Sequence, residues 1–510
     1  MKIRVLALIL AVLTLLTSCA SGSKVFKTDF GPRRKDYNDS FAVKDVPLTN
    51  AEVADDFSLT VEAESGVMTG VVETKHLGAS GDKTVSGFDA NGDSLIMKVT
   101  VPSDGVYDIG VRYFSPDISK INLLYVDGVH QADLRCNVAN KLDSYPVKGV
   151  YLSKGDHEIE IRPSWGWVEF DSITLTKSSA VNDDTYNVTV GLSNPNADEN
   201  TRRLYNFLCD IYGNYTLTGQ TADHGRLSPE YERIKEITGK EFAVLGLDMM
   251  NYSLTNKKYG AVGESMPYAS DWYHNMGGIV SFCWHWNSPK SHIADGANWW
   301  NSFYSENSDI DLDKAMNGED DKLLEKLDDD IRNISEELTK LRDDGVPILW
   351  RPLHEASGGW FWWGDCEPES YIKLWRRMYD IMTNEYNLTN LIWIWNAQHG
   401  EWYPGDDVVD IISTDIYTDA HSYGSHSPIF IELTEATSQK KLIALSENGV
   451  VMDPELCFRD NARWLFWCTW TGDYGTTDIY TEDYMLEKAY NSEYTLTLDE
   501  LPNLKEYRLD

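Results

Sequence analysis

The sequence predicts an α/β protein in two folded parts: a (β/α)8 TIM barrel, preceded by an all-β sandwich domain. Three observations predict it. Residues 58 to about 177 form short alternating runs broken by Gly, Asp and Pro. From Tyr215 onward, eight apolar strand-like runs alternate with stretches of helical period over about 300 residues. At 510 residues the chain exceeds one ordinary core and suits a barrel with a smaller partner.

Along the chain, Met1-Lys2-Ile3-Arg4 supplies a positive start, and an apolar run too short to span a membrane follows. Leu16-Thr17-Ser18-Cys19 then offers a small-residue cleavage site. Residues 1–19 thus resemble a bacterial lipoprotein signal. The resemblance implies lipidation of Cys19, a membrane partner through the lipid, and a place in the cell envelope at the outer membrane or cell surface. Residues 20–56 are polar with little periodicity and read as a linker.

The sandwich is expected over 57–178, with strands at 59–64, 94–101, 106–113, 121–126, 157–161 and 170–175. Turn signals such as Pro102-Ser103-Asp104-Gly105 and Asp127-Gly128 separate them. The barrel is expected over 186–510, with strands at 215–220, 242–249, 278–285, 346–354, 390–396, 408–417, 441–447 and 463–470. No Gly-rich phosphate loop follows the first of these, which argues against a doubly wound sheet. Before the fourth strand, Leu324, Leu327, Ile331, Ile334, Leu338 and Leu341 recur at helical spacing. The charges between them are expected on a solvated face.

Composition excludes some partners. A net charge of −36, from 45 basic and 81 acidic residues, repels a phosphate backbone, so nucleic acid is not expected. The chain carries 18 Trp, 28 Tyr and 15 Phe, and flat aromatic faces can stack on sugar rings as well as fill cores. Cys136, Cys209, Cys283, Cys366, Cys457 and Cys468 show neither zinc spacing nor a dense disulfide framework, and no chemistry is assigned to them. A monomer is expected.

In a barrel of this kind the active site forms at the carboxyl ends of the strands. Those ends carry Asp248, His285, His354, Glu355, Asn396, Asp415, Tyr417, Glu447 and Trp470. Two opposed glutamates, Glu355 after the fourth strand and Glu447 on the seventh, suit glycoside chemistry: one protonates the leaving oxygen and one attacks the anomeric carbon. A separation of about 5 Å predicts retention of configuration. Two other readings compete: that each glutamate only pairs with a nearby Arg, or that His285 and His354 help hold a catalytic metal, for which no third ligand is evident.

Arg351-Pro352-Leu353-His354-Glu355, followed by Gly359-Trp360-Phe361-Trp362-Trp363-Gly364, resembles the acid/base motif of glycoside hydrolase family 26. Ser446-Glu447-Asn448-Gly449 is similar to its nucleophile segment, and the likeness extends through Thr218-Gly219-Gln220, Gly246-Leu247-Asp248 and Trp284-His285-Trp286. The resemblance implies a retaining endo-β-1,4-mannanase acting on mannan polysaccharide without a catalytic cofactor, with Glu355 as acid/base and Glu447 as nucleophile. It also implies that His285, His354 and Tyr417 hold the sugar and the nucleophile, His354 and Tyr417 by donating hydrogen bonds that orient a carboxylate, and that Trp360 and Trp470 form aromatic subsite walls. Trp362, Trp363, Trp393, Trp395, Trp464 and Trp467 are expected to pack within the barrel. β-1,3-Xylan or mixed-linkage glucan are the alternative polymers, and a non-catalytic glycan-capture lipoprotein is the alternative class.

In the sandwich, Val61-Glu62-Ala63-Glu64, Gly105-Val106-Tyr107 and Trp165-Gly166-Trp167 leading into Phe170-Asp171-Ser172-Ile173 resemble a carbohydrate-binding module of family 35, or its relative family 6. The resemblance implies a structural calcium on Glu62, Glu64 and Asp171. Trp165 and Trp167, read as a loop before the last strand, are candidates to stack on a glycan or to pack at the domain edge.

Overall fold

The computed structural model describes residues 52–116, 119–179, 183–188 and 190–509. Cys19 and the expected signal lie outside the described residues.

Two antiparallel sheets make up the amino-terminal part. One orders Val72–Lys75, Lys83–Ser86, Glu169–Lys177, Gly105–Ser115 and Ala139–Leu152, with Ser58–Glu62 also paired to Glu169–Lys177. The other orders Val67–Thr69, Ser94–Val101, Gly155–Trp165, Lys120–Val126 and Val129–Cys136. Period-two burial holds them together: Tyr107, Ile109, Val111 and Tyr113 from one sheet meet Leu95, Met97, Val99, Ile159 and Ile161 from the other in a core of their own.

Five sandwich strands escape the sequence reading: Val67–Thr69, Val72–Lys75, Lys83–Ser86, Val129–Cys136 and Ala139–Leu152. The last holds Pro146 and Gly149, which read as turn residues. It is an edge strand, where a missing ladder N–H is tolerated. Trp165 is also a strand residue rather than a loop residue, paired with Ile121; the turn begins at Gly166.

The remainder closes into a parallel barrel of eight strands: β1 (Gly219–Thr221), β2 (Val244–Asp248), β3 (Ile279–Cys283), β4 (Ile348–Arg351), β5 (Leu391–Trp395), β6 (Ile411–Ile416), β7 (Leu442–Asn448) and β8 (Trp467–Thr469). Their apolar runs are buried on both faces, as crossover helices require. Trp362, Trp363, Trp393, Trp395, Trp464 and Trp467 all lie in this core.

Helix α1 (Asp321–Asp343) starts at Asp320, whose carboxylate accepts from Leu323 N at 3.0 Å. Its buried stripe runs through Leu323, Leu327, Ile331, Ile334, Leu338 and Leu341, with Leu324 half-buried beside it. The expected solvated face needs correction at two charges. Asp328 is buried in an ion pair with Arg377, and Asp330 accepts from Leu254 N at 2.9 Å and Trp286 Nε1 at 2.8 Å. Asp330 thereby ties α1 to the segment after β3.

Helix α2 (Ser427–Thr434) docks the two parts by covering the edge strand Ala139–Leu152. Ser427 Oγ donates to Gly149 O at 2.6 Å, Lys148 pairs with Glu435 at 2.5 Å, and the Arg459 guanidinium stacks 3.8 Å above the Tyr151 ring. Gly149 has φ +76°, a left-handed conformation that favours glycine, and a Cβ there would have to displace the tip of Ile431, whose Cδ1 would lie 2.0 Å away.

Candidate active site

β4 ends at Arg351, earlier than the alternation suggests, because Pro352 offers no N–H to the ladder. The chain then turns sharply, with Leu353 at φ +51° and Glu355 at φ +54°. Left-handed backbone at non-glycine residues costs about 1–3 kcal/mol each and is kept only where the surroundings enforce it. Here Glu355 N donates to Asn396 O at 2.7 Å and to Asn396 Oδ1 at 3.2 Å, and Trp363 Nε1 donates to His354 O at 2.8 Å. β5 and the Trp360–Trp363 loop therefore hold Glu355 over the barrel mouth.

A bulge places its counterpart. Thr414 of β6 pairs with Leu445, but Asp415 pairs with Glu447, leaving Ser446 as the extra residue in β7. Strict alternation would send Ser446 and Glu447 to opposite faces. The bulge lets both reach the same interior network. Ser446 Oγ lies 3.1 Å from Asp415 Oδ1 and accepts from Asn396 Nδ2 at 2.7 Å, while Glu447 meets Arg351.

Arg351 is the centre of this network. It is buried and forks between two carboxylates, donating from Nη1 to Asp415 Oδ2 at 2.6 Å and from Nη2 to Glu447 Oε2 at 2.5 Å. Tyr417 donates its hydroxyl to Glu447 Oε1. Glu447 thus has a donor on each oxygen, the arrangement that fixes the orientation of a carboxylate.

Glu355 lives differently. Its Oε2 accepts from Trp360 Nε1 at 2.9 Å, and no cation among the described residues pairs with it. Burial, then the negative charges of Asp415 and Glu447, hold its carboxyl well above the usual range. Oxygens of Glu355, Asp415 and Glu447 lie within 4.8 Å of one another. The Arg351 guanidinium is divided between Asp415 and Glu447, and Glu355, which it does not contact, is the carboxyl placed to carry a proton.

The histidines need a correction. His354 was expected to orient a carboxylate, but its Nε2 meets His285 Nε2 at 3.3 Å, and its Nδ1 is buried without a partner. Burial, followed by the charge of Arg351, holds His354 well below the usual imidazole range, so the ring is neutral. His285 Nδ1 is fixed by Asp248 Oδ2 at 2.6 Å. Asp248, Cys283 and His285 approach within metal-binding reach, but the Asp248–His285 contact is already a short hydrogen bond.

Two walls flank the carboxylates. The Trp360 ring is 37 % exposed and Trp470 is nearly buried, its ring 5.7 Å from that of His285. Farther out, Trp299 stacks on Tyr259 at 4.9 Å.

The sequence reading gave no role to Arg351, Ser446 or Asp223. Arg351 had a usable signal, since a charge inside an apolar strand needs a buried partner. Asp223 follows β1, and burial with the Asp248 and Glu230 carboxylates pushes it up to about 7. Nothing local marked it.

In the sandwich, Ser80 Oγ donates to Glu62 Oε1 at 2.8 Å, while Glu62 Oε2 and Glu64 Oε2 are buried without partners. Asp171 takes the Ser80 amide at 2.8 Å and Arg112 at 2.6 Å, so its charge is already balanced. Trp165 and Trp167 are 46 % and 40 % exposed, with the Lys120 ammonium 4.9 Å from the Trp167 ring.

A (β/α)8 barrel with paired glutamates at its fourth and seventh strand ends, between aromatic walls and beside a β-sandwich, defines a glycoside hydrolase. The chain belongs to glycosyl hydrolase family 26, whose profile matches residues 193–500. The profile of carbohydrate binding module family 35 matches residues 59–178. A mannan endo-1,4-beta-mannosidase of Thermothelomyces thermophilus is 36% identical over 448 residues, covering 87% of this chain and 90% of that protein. The crystal structure of the Podospora anserina GH26-CBM35 beta-(1,4)-mannanase is 34% identical, covers 88% of this chain and 100% of its own, and superposes with a TM-score of 0.62. A ruminal GH26 endo-beta-1,4-mannanase structure is 27% identical, with coverage of 88% and 99% and a TM-score of 0.63.

Proposed function

We propose that the protein is an endo-β-1,4-mannanase working by double displacement, with Glu447 as nucleophile and Glu355 as acid and then base. The observation that carries this is the approach of Glu355 and Glu447 oxygens within 4.8 Å, close to the roughly 5–5.5 Å between carboxyl groups of retaining enzymes. Mannan as the polymer is supported by what the Thermothelomyces thermophilus, Podospora anserina and ruminal relatives are named for. The test is the product profile on mannan, glucomannan, β-1,3-xylan and mixed-linkage glucan. Oligosaccharides of mixed length from mannan are expected, and preferential release from either of the last two polymers overturns the assignment.

The Glu355 environment sets a pH limb. Because its carboxyl is raised, the acid form persists toward neutral pH, and kcat/KM falls as pH rises through that value. Trp360 donates to the carboxylate and so favours the charged form. Trp360→Phe therefore moves the basic limb to higher pH, by a fraction of a unit to about one unit. It also raises KM through the narrower stacking face. A basic limb that moves down would contradict the assignment of Glu355 as the acid.

The sandwich is read as a module that holds the enzyme on its polymer, raising local substrate concentration. Trp165→Ala with Trp167→Ala is expected to weaken retention in a mannan-containing gel several-fold while leaving kcat on short soluble oligosaccharides unchanged. Equal mobility with and without the substitutions removes both indoles from the site. The unpartnered oxygens of Glu62 and Glu64 suit a hard cation such as calcium, which would brace the turn carrying Ser80.

Anchoring through a lipid on Cys19 at the cell surface is the companion proposal, supported by the amino-terminal residues. Loss of Cys19→Ala from the membrane fraction is the expected result, and its retention there would contradict the anchor.

A further inference from the structure

Asp223 takes no part in the double displacement, yet it stands in the catalytic mouth. In β1 Thr221 faces the barrel axis, its Oγ1 3.6 Å from Cys468 Sγ of β8, and Asp223 lies two residues further on. Thr221 pairs with Gly246, Asp248 with Cys283, and Cys283 with the interior Arg351, so the same alternation brings Asp248 and His285 to that upper layer. The charged groups around Asp223 are accordingly Asp248, Glu230 and His285. We propose that Asp223 is a substrate-binding residue for the mannose unit next to the cleaved one on the glycone side, its carboxyl exchanging hydrogen bonds with hydroxyls of that ring. The identity of the sugar rests on the mannanase reading above.

The acids beside it are already committed. Asp248 Oδ1 accepts from the amides of Met250 and His285 at 2.8 and 3.1 Å, and its Oδ2 meets His285 Nδ1 at 2.6 Å. Glu230 Oε1 accepts from Thr471 Oγ1 at 2.5 Å and from Gly472 N at 3.2 Å. Asp223 is half-buried, and among the described residues its carboxyl has neither a hydrogen bond nor a cation. Its backbone is nonetheless fixed, since Ala222 N donates to Gly246 O at 3.1 Å and Gly225 N donates to Ala222 O at 2.8 Å. A carboxyl drawn half out of water among other acids weakens a fold, and such groups cluster where they are used.

Barrel closure decides which sugar unit it meets. β8 and β1 lie across the mouth from β4 and β5. Glu355, past β4, protonates the leaving oxygen, so the aglycone departs on that side. The ring retained by Glu447 lies over β7, beside the His285–Trp470 contact at 5.7 Å. The chain beyond it on the glycone side then runs over the ends of β8, β1 and β2, where Asp223 stands. With burial and its neighbours pushing it up to about 7, Asp223 is a neutral acid at lower pH and can donate as well as accept. That suits sugar hydroxyls, which do both, better than a metal ion, which needs an ionised ligand.

The test uses the full chain and two activated substrates, dinitrophenyl β-mannoside and dinitrophenyl β-mannobioside, which share a leaving group and differ by the unit in question. In Asp223→Ala, kcat/KM on the bioside should fall about tenfold, as expected for one or two lost hydrogen bonds, and kcat/KM on the monoside should stay within about twofold. Asp223→Asn, whose amide also donates and accepts, should recover most of the loss. Because the carboxyl has no protein partner, Asp223→Ala should melt at or above the parent temperature, whereas a structural carboxyl would lower it. Equal loss on both substrates, no loss on the bioside, or a lowered melting temperature overturns the assignment. The matching glucoside and cellobioside separate this from the choice of sugar. A parent that turns over only the gluco pair overturns the mannan reading, and the same selective loss on that pair keeps Asp223 in its role. A parent that turns over neither pair overturns both.

Discussion

Glu447→Ala is expected to lose turnover on every substrate, by about 10⁴-fold or more, because no glycosyl-enzyme can form without its carboxylate. Its partner should fail selectively. Glu355→Ala removes proton donation to the leaving oxygen, so hydrolysis of mannan should fall by about 10²–10⁴-fold, while an activated aryl glycoside still enters the first step. Azide needs no general base, so it should speed breakdown of the intermediate trapped in Glu355→Ala and give a glycosyl azide with the substrate's configuration. In Glu447→Ala, azide can enter only from the face the missing carboxylate occupied, giving the inverted product. The asymmetry follows from the contacts: Glu447 carries Arg351 and Tyr417 on its oxygens, and Glu355 carries only the Trp360 indole. Swapped azide products would exchange the two roles, and near-normal rates on mannan in both variants would move the site elsewhere.

Arg351→Met should be the most damaging single change to stability. It leaves Asp415 and Glu447 buried, adjacent and without their shared cation. Removing one partner of a buried ion pair costs about 3–5 kcal/mol, which for a barrel of this size lowers Tm on the order of 10 °C. Activity should fall as well, since Glu447 loses the guanidinium that orients its carboxylate. Adding Asp415→Asn removes one of the stranded charges and should recover part of the lost stability, a coupling that a double-mutant cycle reads directly. A melting temperature within about one degree of the parent would mean that Arg351 does not neutralise this cluster.

How far the sequence carried the fold can be seen element by element. All eight barrel strands overlap the predicted apolar runs, with β1 and β7 each extending one residue beyond, because strands buried on both faces produce continuous hydrophobic stretches that need no partner to be recognised. Ala139–Leu152 was lost because Pro146 and Gly149 mimic a turn, and only the sheet order shows that the strand lies at an edge. Asp328 and Asp330 were assigned to water because helical periodicity sorts residues into faces and does not reveal which neighbour covers a face.

The site divides the same way. The sequence by itself determined that Glu355 follows the fourth barrel strand and that Glu447 lies at the end of the seventh, with an indole, Trp360, five residues past Glu355. Those are properties of local order and period, which survive without knowledge of distant contacts. Only the tertiary structure decided that Arg351 pairs with Asp415 and Glu447, that His354 faces His285 rather than a carboxylate, that a bulge at Ser446 aims Glu447, and that Asp223 is crowded by other acids. The reason is physical. Ion pairing, desolvation and proton affinity depend on distances between groups tens to hundreds of residues apart, and those distances exist only once the barrel has closed.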